Sequence, residues 1–487
     1  MTIDPRTPVL IGTASVVQRE SQPGAGKEAA ELMVDAVRTA AEDSGAPDLL
    51  RRADALMVPR GMWGYPDPAR FVADAVGAGK ARSVVAEIGI LQTSLFGRAG
   101  RAIAAGEADV IVVTGGEAKY RNQLAERAGI ELSEAAQAEV APDEVMSPSA
   151  DILHPLELTR GLGRPVSQYA ILDSALRAAE GQSVDAHRDD VAGLWSAMSR
   201  MAERNPYAWK RQGVAADQIR GGEGNHMMSF PYTKLHNSEW NVDQAAALVL
   251  CSYATAEAAG VPRDKWIFLR AVTESNHMLP LAERATPHRA PASRIGGARV
   301  LELAGLSQEE IRYRELYSCF PVAVRIQARE LGIPLDPPPT VTGGMAFGGG
   351  PLNNFVLQAT ARMAEVLRAD PGSHGFVTAV SGILTKVGAS IWSTEPGDFG
   401  FGDVSEVVAT ATPRIEVVEG ETGSARITGY TVIHGRGGPE QAVALCDFEN
   451  GRRTIAYSRD RSLMDAMMRR EHCGERVSVM ADGVFAT

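Results

Sequence analysis

Gly343-Gly344-Met345-Ala346-Phe347-Gly348-Gly349-Gly350-Pro351 runs into Leu352, Phe355, Val356, Ala359, Met363 and Val366, apolar residues at helical spacing. Five glycines in nine residues let the backbone turn sharply and let a ligand approach it. The spacing predicts a helix beginning at Pro351, whose free N–H groups would face the loop and hold a carbonyl oxygen or a phosphate. The helix breaks at Pro371-Gly372, and an apolar strand, Phe376-Val377-Thr378-Ala379-Val380, ends at Gly382. The same order occurs earlier. Thr93-Ser94 leads through Leu95, Phe96, Ala99, Ala102 and Ile103 to Gly106, and Val110-Ile111-Val112-Val113 follows, ending in Gly115-Gly116. Strands apolar on both faces, alternating with helices, predict a duplicated α/β core whose largely parallel sheet is covered on both sides.

The 487 residues suggest about three domains. A net charge of -11 argues against general attraction to nucleic acid or an anionic membrane, and no apolar run reaches the length of a bilayer span. Four cysteines in so long a chain make no disulfide framework, and the first residues lack the pattern of a secretion signal, so a cytoplasmic location is expected.

Residues 119–228 carry helical stretches, Val166 to Glu180 and Asp189 to Arg204, with little strand signal, and read as an insertion. Val242-Asp243-Gln244 then enters a small-residue strand, Ala245 to Cys251, that closes a first unit over 1–265. A second unit spans 266–396. Over 406–487 the pattern changes to strands at Ala425 to Ile433, Ala442 to Phe448, Arg453 to Tyr457 and Arg476 to Met480, with one helix near Asp460 to Arg470. A small antiparallel barrel, similar to an OB-fold, is expected there. Its 10 Arg or Lys against 12 Asp or Glu leave no electrostatic footprint for nucleic acid, so a contact with another domain or protein is expected of it instead.

With Glu315-Leu316-Tyr317-Ser318-Cys319-Phe320 just upstream, the glycine stretch resembles the second half of a thiolase, whose corresponding segment reads GGxxxxGHP. With the C-terminal barrel, the chain is most similar to bacterial type-1 thiolase-like proteins, and the resemblance covers nearly its whole length. It implies two βαβαβαββ halves in five layers, α-β-α-β-α, a helical loop insertion, and a CoA thioester as substrate or ligand, with no bound cofactor and no metal. A thiolase carries an acyl-accepting cysteine at a helix start, which falls near Gly89 here, and Cys251 is the first cysteine in this chain. A thiolase's histidine of GHP is matched by Gly350, and its C-x-G segment by Val380-Ser381-Gly382. The resemblance therefore implies an acyltransferase relative with its usual catalytic set missing. A non-catalytic acyl-CoA protein or a retro-aldol lyase are the alternatives.

Tyr317-Ser318-Cys319-Phe320 stands where sterol-carrier-protein-type thiolases read HDCF. Two readings remain open: Tyr317 as proton donor or acceptor with Cys319 as helper, or a packed tyrosine and cysteine at a strand end. The resemblance places the CoA thioester against Gly343, Gly344, Gly348, Gly349, Gly350, Ser381 and Gly382. A tight strand-to-helix connection is the bland alternative for the glycines. His236 reads more readily as structural. His277 and His288 flank a loop, Thr286 to Ser293, near the ligand, and match no zinc spacing. Lys386 reads equally as a CoA or substrate contact and as a solvated lysine, and Ser94 as a helix N-cap. A thiolase core implies a homodimer, whereas an added domain offers a partner surface or blocks the dimer.

Overall fold

The computed structural model describes residues 3–138 and 140–486. One sheet of eleven strands runs through the core. Its first six strands, in spatial order, are Glu144–Met146, Arg82–Ala86, Ala55–Pro59, Val110–Ala118, Asp243–Ser252 and Pro8–Gln18. It continues through Ile267–Glu274, Lys386–Ser393 and His374–Ser381 to Ile311–Glu315. The two halves meet where Val9 and Leu10 pair with Phe268 and Ile267. In each half the last strand runs antiparallel between the first and the fourth, which gives the duplication predicted from the sequence. The halves differ at one place. Where the first has its third strand at Arg82–Ala86, the chain of the second bends around Glu315 over Thr340–Thr342 without joining the sheet.

The helices Gln92–Ala105 and Phe355–Ala369 occupy the middle layer, and each touches strands of both halves. Burial from two sides explains why they are apolar nearly all round. Leu95, Phe96, Ile103, Phe355 and Val356 are buried in one cluster with residues of both halves, and each such side chain contributes about 1.5–3 kcal/mol. Ala29–Asp43 covers the outer face of the first half, and Pro291–Ala304 with Pro321–Leu331 that of the second, each over its own apolar cluster. This is the five-layer α-β-α-β-α arrangement. The first central helix stops at Gly106, which takes a left-handed conformation (φ 73°). The second begins at Phe355 with Asn354 as its N-cap, four residues later than predicted, because Leu352 turns left-handed at φ 33° and breaks the helical path from Pro351. Ser94 is likewise not an N-cap: the first central helix starts at Gln92, and Leu91 holds the cap position.

The C-terminal strands Gly423–Gly435, Gly438–Phe448, Arg452–Ser458, Arg476–Val479 and Phe485–Ala486 curl into a barrel. A bridge between Tyr457 and Val484 joins the third strand to the segment entering the fifth, and Arg461–Met467 lies between the third and fourth. That connectivity is OB-like, and closure removes the sheet's free edges. The barrel is clamped onto the insertion. Ile433 pairs with Ser229, and the fully buried Arg177 donates to Glu471 (2.7 Å) and to the Tyr430 hydroxyl (2.7 Å). Arg453, also fully buried, reaches from the barrel to the carbonyls of Ala282 and Arg284. One more strand, Gly400–Asp403, pairs in parallel with Ile267–Glu274 before the chain enters the barrel. It seats Phe399 and Phe401 against Gly100 and Gly97, where any Cβ would lie within 2.6 Å of a ring atom.

Candidate active site

Three segments converge where the central helices begin. Tyr317, Ser318 and Cys319 follow the strand Ile311–Glu315, and a closed ring of hydrogen bonds fixes their backbone. The Tyr317 N–H donates to Thr378 Oγ1, that hydroxyl donates to Gln327 Oε1, and Gln327 Nε2 donates to the Tyr317 carbonyl, each at 2.8 Å. Ser318 Oγ accepts from the Met345 N–H at 3.0 Å, which ties this segment to the glycine loop. Ser238 donates to the Cys319 carbonyl at 2.9 Å, and the Gly350 N–H donates to the Glu239 carbonyl at 2.8 Å. Gln92, on the first central helix, donates to the Asn353 carbonyl at 2.9 Å. The structure thus brings Tyr317, Cys319, the glycine loop and the start of the first central helix together.

The glycine loop is buried throughout and packed on the protein itself. Gly343, Gly344 and Gly349 adopt φ values of 90°, 75° and 105°, which L side chains rarely take. A Cβ at Gly343 would sit 2.4 Å from Ala202, at Gly344 2.5 Å from Met198, and at Gly349 2.0 Å from Gln244 Oε1. At Gly348 the nearest atom would be the Gly344 carbonyl oxygen at 2.9 Å, and at Gly350 Ser238 at 3.1 Å. These glycines are required by close packing of the loop. Because the following helix starts at Phe355, its N-terminal N–H groups lie past the glycines rather than against them.

Glu315 organises the loop from below. Its Oε2 accepts from the N–H groups of Val341 (2.7 Å) and Thr342 (2.9 Å), while the hydroxyls of Thr340 and Thr342 lie 3.0 Å from Oε1. Complete burial pushes its carboxyl up to about 7. The threonine hydroxyls donate to Oε1 when the carboxylate is ionised; in the neutral acid Oε2 serves as the carbonyl oxygen for both N–H groups, and a hydroxyl turns to accept the Oε1 proton. The sequence gives Glu315 no role by motif; the threonines flanking Val341 are the one local mark of its binding partners.

Tyr317 is half-buried, with its ring edge-on to Phe355 at 5.9 Å, and Cys319 is buried. Burial drives the Tyr317 phenol well above its ordinary range, with Cys319 adding to the rise. Burial also pushes the Cys319 thiol up to about 12. Neither group is prepared to lose a proton near neutral pH. Ser381 and Gly382 end the strand His374–Ser381, and Gly382 begins a run of three left-handed residues with Ile383 (φ 53°) and Leu384 (φ 69°). For a β-branched residue such as Ile383 this is a strained conformation. It is held by Arg284, which donates to the carbonyls of Gly382 (3.1 Å) and Ile383.

Lys386 is not solvated. It is 4% exposed, and its ammonium donates to the Gly89 carbonyl at 2.5 Å, at the start of the first central helix. Burial lowers its pKa. The solvated reading fails because Lys386 opens an interior strand with every residue buried. His236 is fully enclosed and serves the backbone, since its Nδ1 accepts from the Thr233 N–H at 3.1 Å, and burial lowers its pKa to about 3. His277 and His288 line a separate cleft with Arg284.

The sheet order and central helices are those of the thiolase fold, and the closed barrel is an addition to it. Residues 403–484 match the family described as the thiolase-like protein type 1 additional C-terminal domain. The whole chain is similar to a monomeric SCP2-thiolase-like protein type 1 from Mycobacterium smegmatis, at 26% identity over 100% of both chains with a TM-score of 0.83. The fold alone is shared with two others. An acetyl-CoA acetyltransferase from Syntrophomonas wolfei is 18% identical over 81% of this chain and 100% of that one (TM-score 0.56). The Ltp2–ChsH2(DUF35) aldolase is 19% identical over 80% and 99% (TM-score 0.61). The fold is that of the thiolase superfamily, and the C-terminal segment matches the additional domain of its type-1 thiolase-like group.

Proposed function

We propose that the protein binds a CoA thioester at the convergence of Tyr317, Cys319, Gly350 and Lys386, and does not carry out cysteine-based acyl transfer. The observation that carries this reading is at Gly89. The resemblance expects an acyl-accepting cysteine within a few residues of it, and the chain has no cysteine there but a glycine whose carbonyl is held by the buried Lys386 ammonium. An ammonium at that point supplies positive charge for a thioester oxygen or thiolate and offers no thiol to accept the acyl group. Gly350 in place of the histidine removes a second catalytic group. The raised pKa values of Tyr317 and Cys319 weigh against either acting as a base. Among structures of this fold, one is described as an acetyltransferase and one as an aldolase, which supports a ligand of the acyl-CoA class without fixing a reaction.

Calorimetric titration with CoA, acetyl-CoA and a longer 3-oxoacyl-CoA, followed by product analysis, tests this reading. Saturable binding of a thioester without thiolysis or condensation is expected, and Tyr317→Phe should leave it unchanged. Turnover abolished by Tyr317→Phe would replace the binding reading with a lyase in which the phenol moves a proton. Absence of heat with all three ligands would remove the acyl-CoA reading altogether.

The barrel reads as a clamp within the chain, since Arg177, Arg453 and the Ile433–Ser229 pair all join it to the rest of the protein. A homodimer or a partner protein on its outer face would appear as a larger species in gel filtration with light scattering.

A further inference from the structure

A cleft of about 230 Å³ lies between the second half of the core and the segment leading into the barrel. Its polar lining comes from the guanidinium groups of Arg284, Arg289 and Arg294 and from His277 and His288, whose imidazoles burial holds toward the neutral form. Leu384, Val408 and Pro413 supply an apolar side, the last two from the C-terminal domain. The two walls are stitched together: the Ala285 N–H donates to the Pro413 carbonyl at 3.1 Å, and the Ile415 N–H to the Glu283 carbonyl at 2.8 Å. The cleft therefore exists only while the C-terminal domain is docked.

Three features point to an oxyanion. Arg284 is 2% exposed and lines the cleft; its Nε and Nη2 are used by backbone carbonyls, and its Nη1 has no partner among the described residues. His277 Nε2, also in the lining, lacks a partner as well. A buried guanidinium nitrogen left unbonded is costly unless something else accepts its proton. The fourteen-residue helix Pro291–Ala304 starts in the same lining at Pro291 and Ala292, and directs the positive end of its dipole there. Two carboxylates oppose these charges: Glu330, which is bonded by Arg289 and by the Ala290 N–H at the helix start and lies 3.9 Å from Arg294, and the buried Glu157, whose charge acts on Arg284. They offset two of the three guanidinium charges and leave the cleft cationic by one.

We propose that this cleft binds a small oxyanion, a phosphate ester or carboxylate bearing a short apolar group, at a site built jointly by the core and the C-terminal domain. The guanidinium groups and the helix start take the anionic head, and Leu384, Val408 and Pro413 take the apolar part. Thr385 lines this cleft, whereas the next residue, Lys386, reaches Gly89. The oxyanion site adjoins the thioester site, since Arg284 donates to the Gly382 carbonyl, but none of Tyr317, Cys319, Gly350 and Lys386 lines the cleft. Occupancy would also strengthen docking of the C-terminal domain, because the ligand binds only the docked form.

Titration of the full-length protein with pyrophosphate and, separately, with hexanoate tests the proposal. Saturable binding of pyrophosphate assigns a phosphate head, and saturable binding of hexanoate assigns a carboxylate. Arg294→Ala, at an exposed side chain whose loss leaves the fold intact, should weaken the bound probe about ten-fold. Arg38→Ala, the same charge change on the outer helix of the first half, should leave it unchanged. Tyr317→Phe should not affect it either, which separates this result from that of the thioester titration. Absence of saturable binding with both probes, or equal effects of Arg294→Ala and Arg38→Ala, would overturn the proposal.

Discussion

Replacing Glu315 by Gln tests whether the acid that organises the glycine loop is neutral. In the structure both backbone N–H donors fall on Oε2, and only hydroxyls, able to accept as well as donate, face Oε1. A glutamine reproduces this pattern, with its carbonyl toward Val341 and Thr342 and its NH2 toward the threonines. The sign follows from the raised pKa. An unfolded glutamate titrates near 4.3, and the folded one is pushed up to about 7, so the folded state holds a proton that the unfolded state has lost across that window. The stability linked to Glu315 is therefore complete below the unfolded value and is lost as pH rises through about 7. Between about pH 5 and pH 8 that loss comes to roughly 2–3 kcal/mol in wild type, and the Gln variant is spared it. Urea unfolding across this range should show Glu315→Gln pulling ahead of wild type as pH rises. Glu315→Leu should fall behind by about 4 kcal/mol at pH 5, because two buried N–H groups lose their acceptor, and the gap should narrow toward pH 8 as wild type loses its roughly 2–3 kcal/mol. If Glu315→Gln gained nothing on wild type between pH 5 and pH 8, the folded carboxyl would titrate at its ordinary value and the neutral-acid argument would be wrong.

Two further outcomes follow from buried cations. Arg177→Met removes the partner of Glu471 and Tyr430 at the seam between insertion and barrel, at a cost of about 3 kcal/mol, moderated because Glu471 is partly solvated. Limited proteolysis should then cut faster in the segment before Gly423, and an unchanged digestion pattern would show that Arg177 does not hold the barrel. Lys386→Met deletes one hydrogen bond, worth about 1 kcal/mol, and relieves the burial of an ammonium, so no net loss of stability is expected at pH 7. Because burial lowers the Lys386 pKa, wild type should gain stability as pH rises toward the unfolded lysine value, and the Met variant should lack that gain in urea midpoints.

Much of the architecture was legible because burial leaves periodic marks. Leu95, Phe96, Ala99 and Ile103 on one helix, and Phe355, Val356, Ala359 and Met363 on the other, announced two central helices, and each appears where its spacing put it. The alternating strands after Gly423 announced the barrel; the fifth strand, Phe485–Ala486, has two residues and too little periodicity to be read. The start of the second central helix was misplaced because spacing continues through Leu352, whose left-handed backbone has no signature in residue type. Lys386 was undecidable because a lysine reads alike whether its strand is interior or on the surface.

The sequence by itself determined the duplicated core, the insertion, the appended barrel and the residues standing at Gly89 and Gly350, since each follows from local period or residue identity. Only the tertiary structure decided that Lys386 occupies the carbonyl of Gly89, that Ala202, Met198 and Gln244 fill the space beside the glycines, and that Arg284 leaves a nitrogen unbonded in a cleft shared by two domains. These facts depend on contacts between residues as much as 297 positions apart, and a burial pattern along the chain carries no information about which distant residue fills the space opposite.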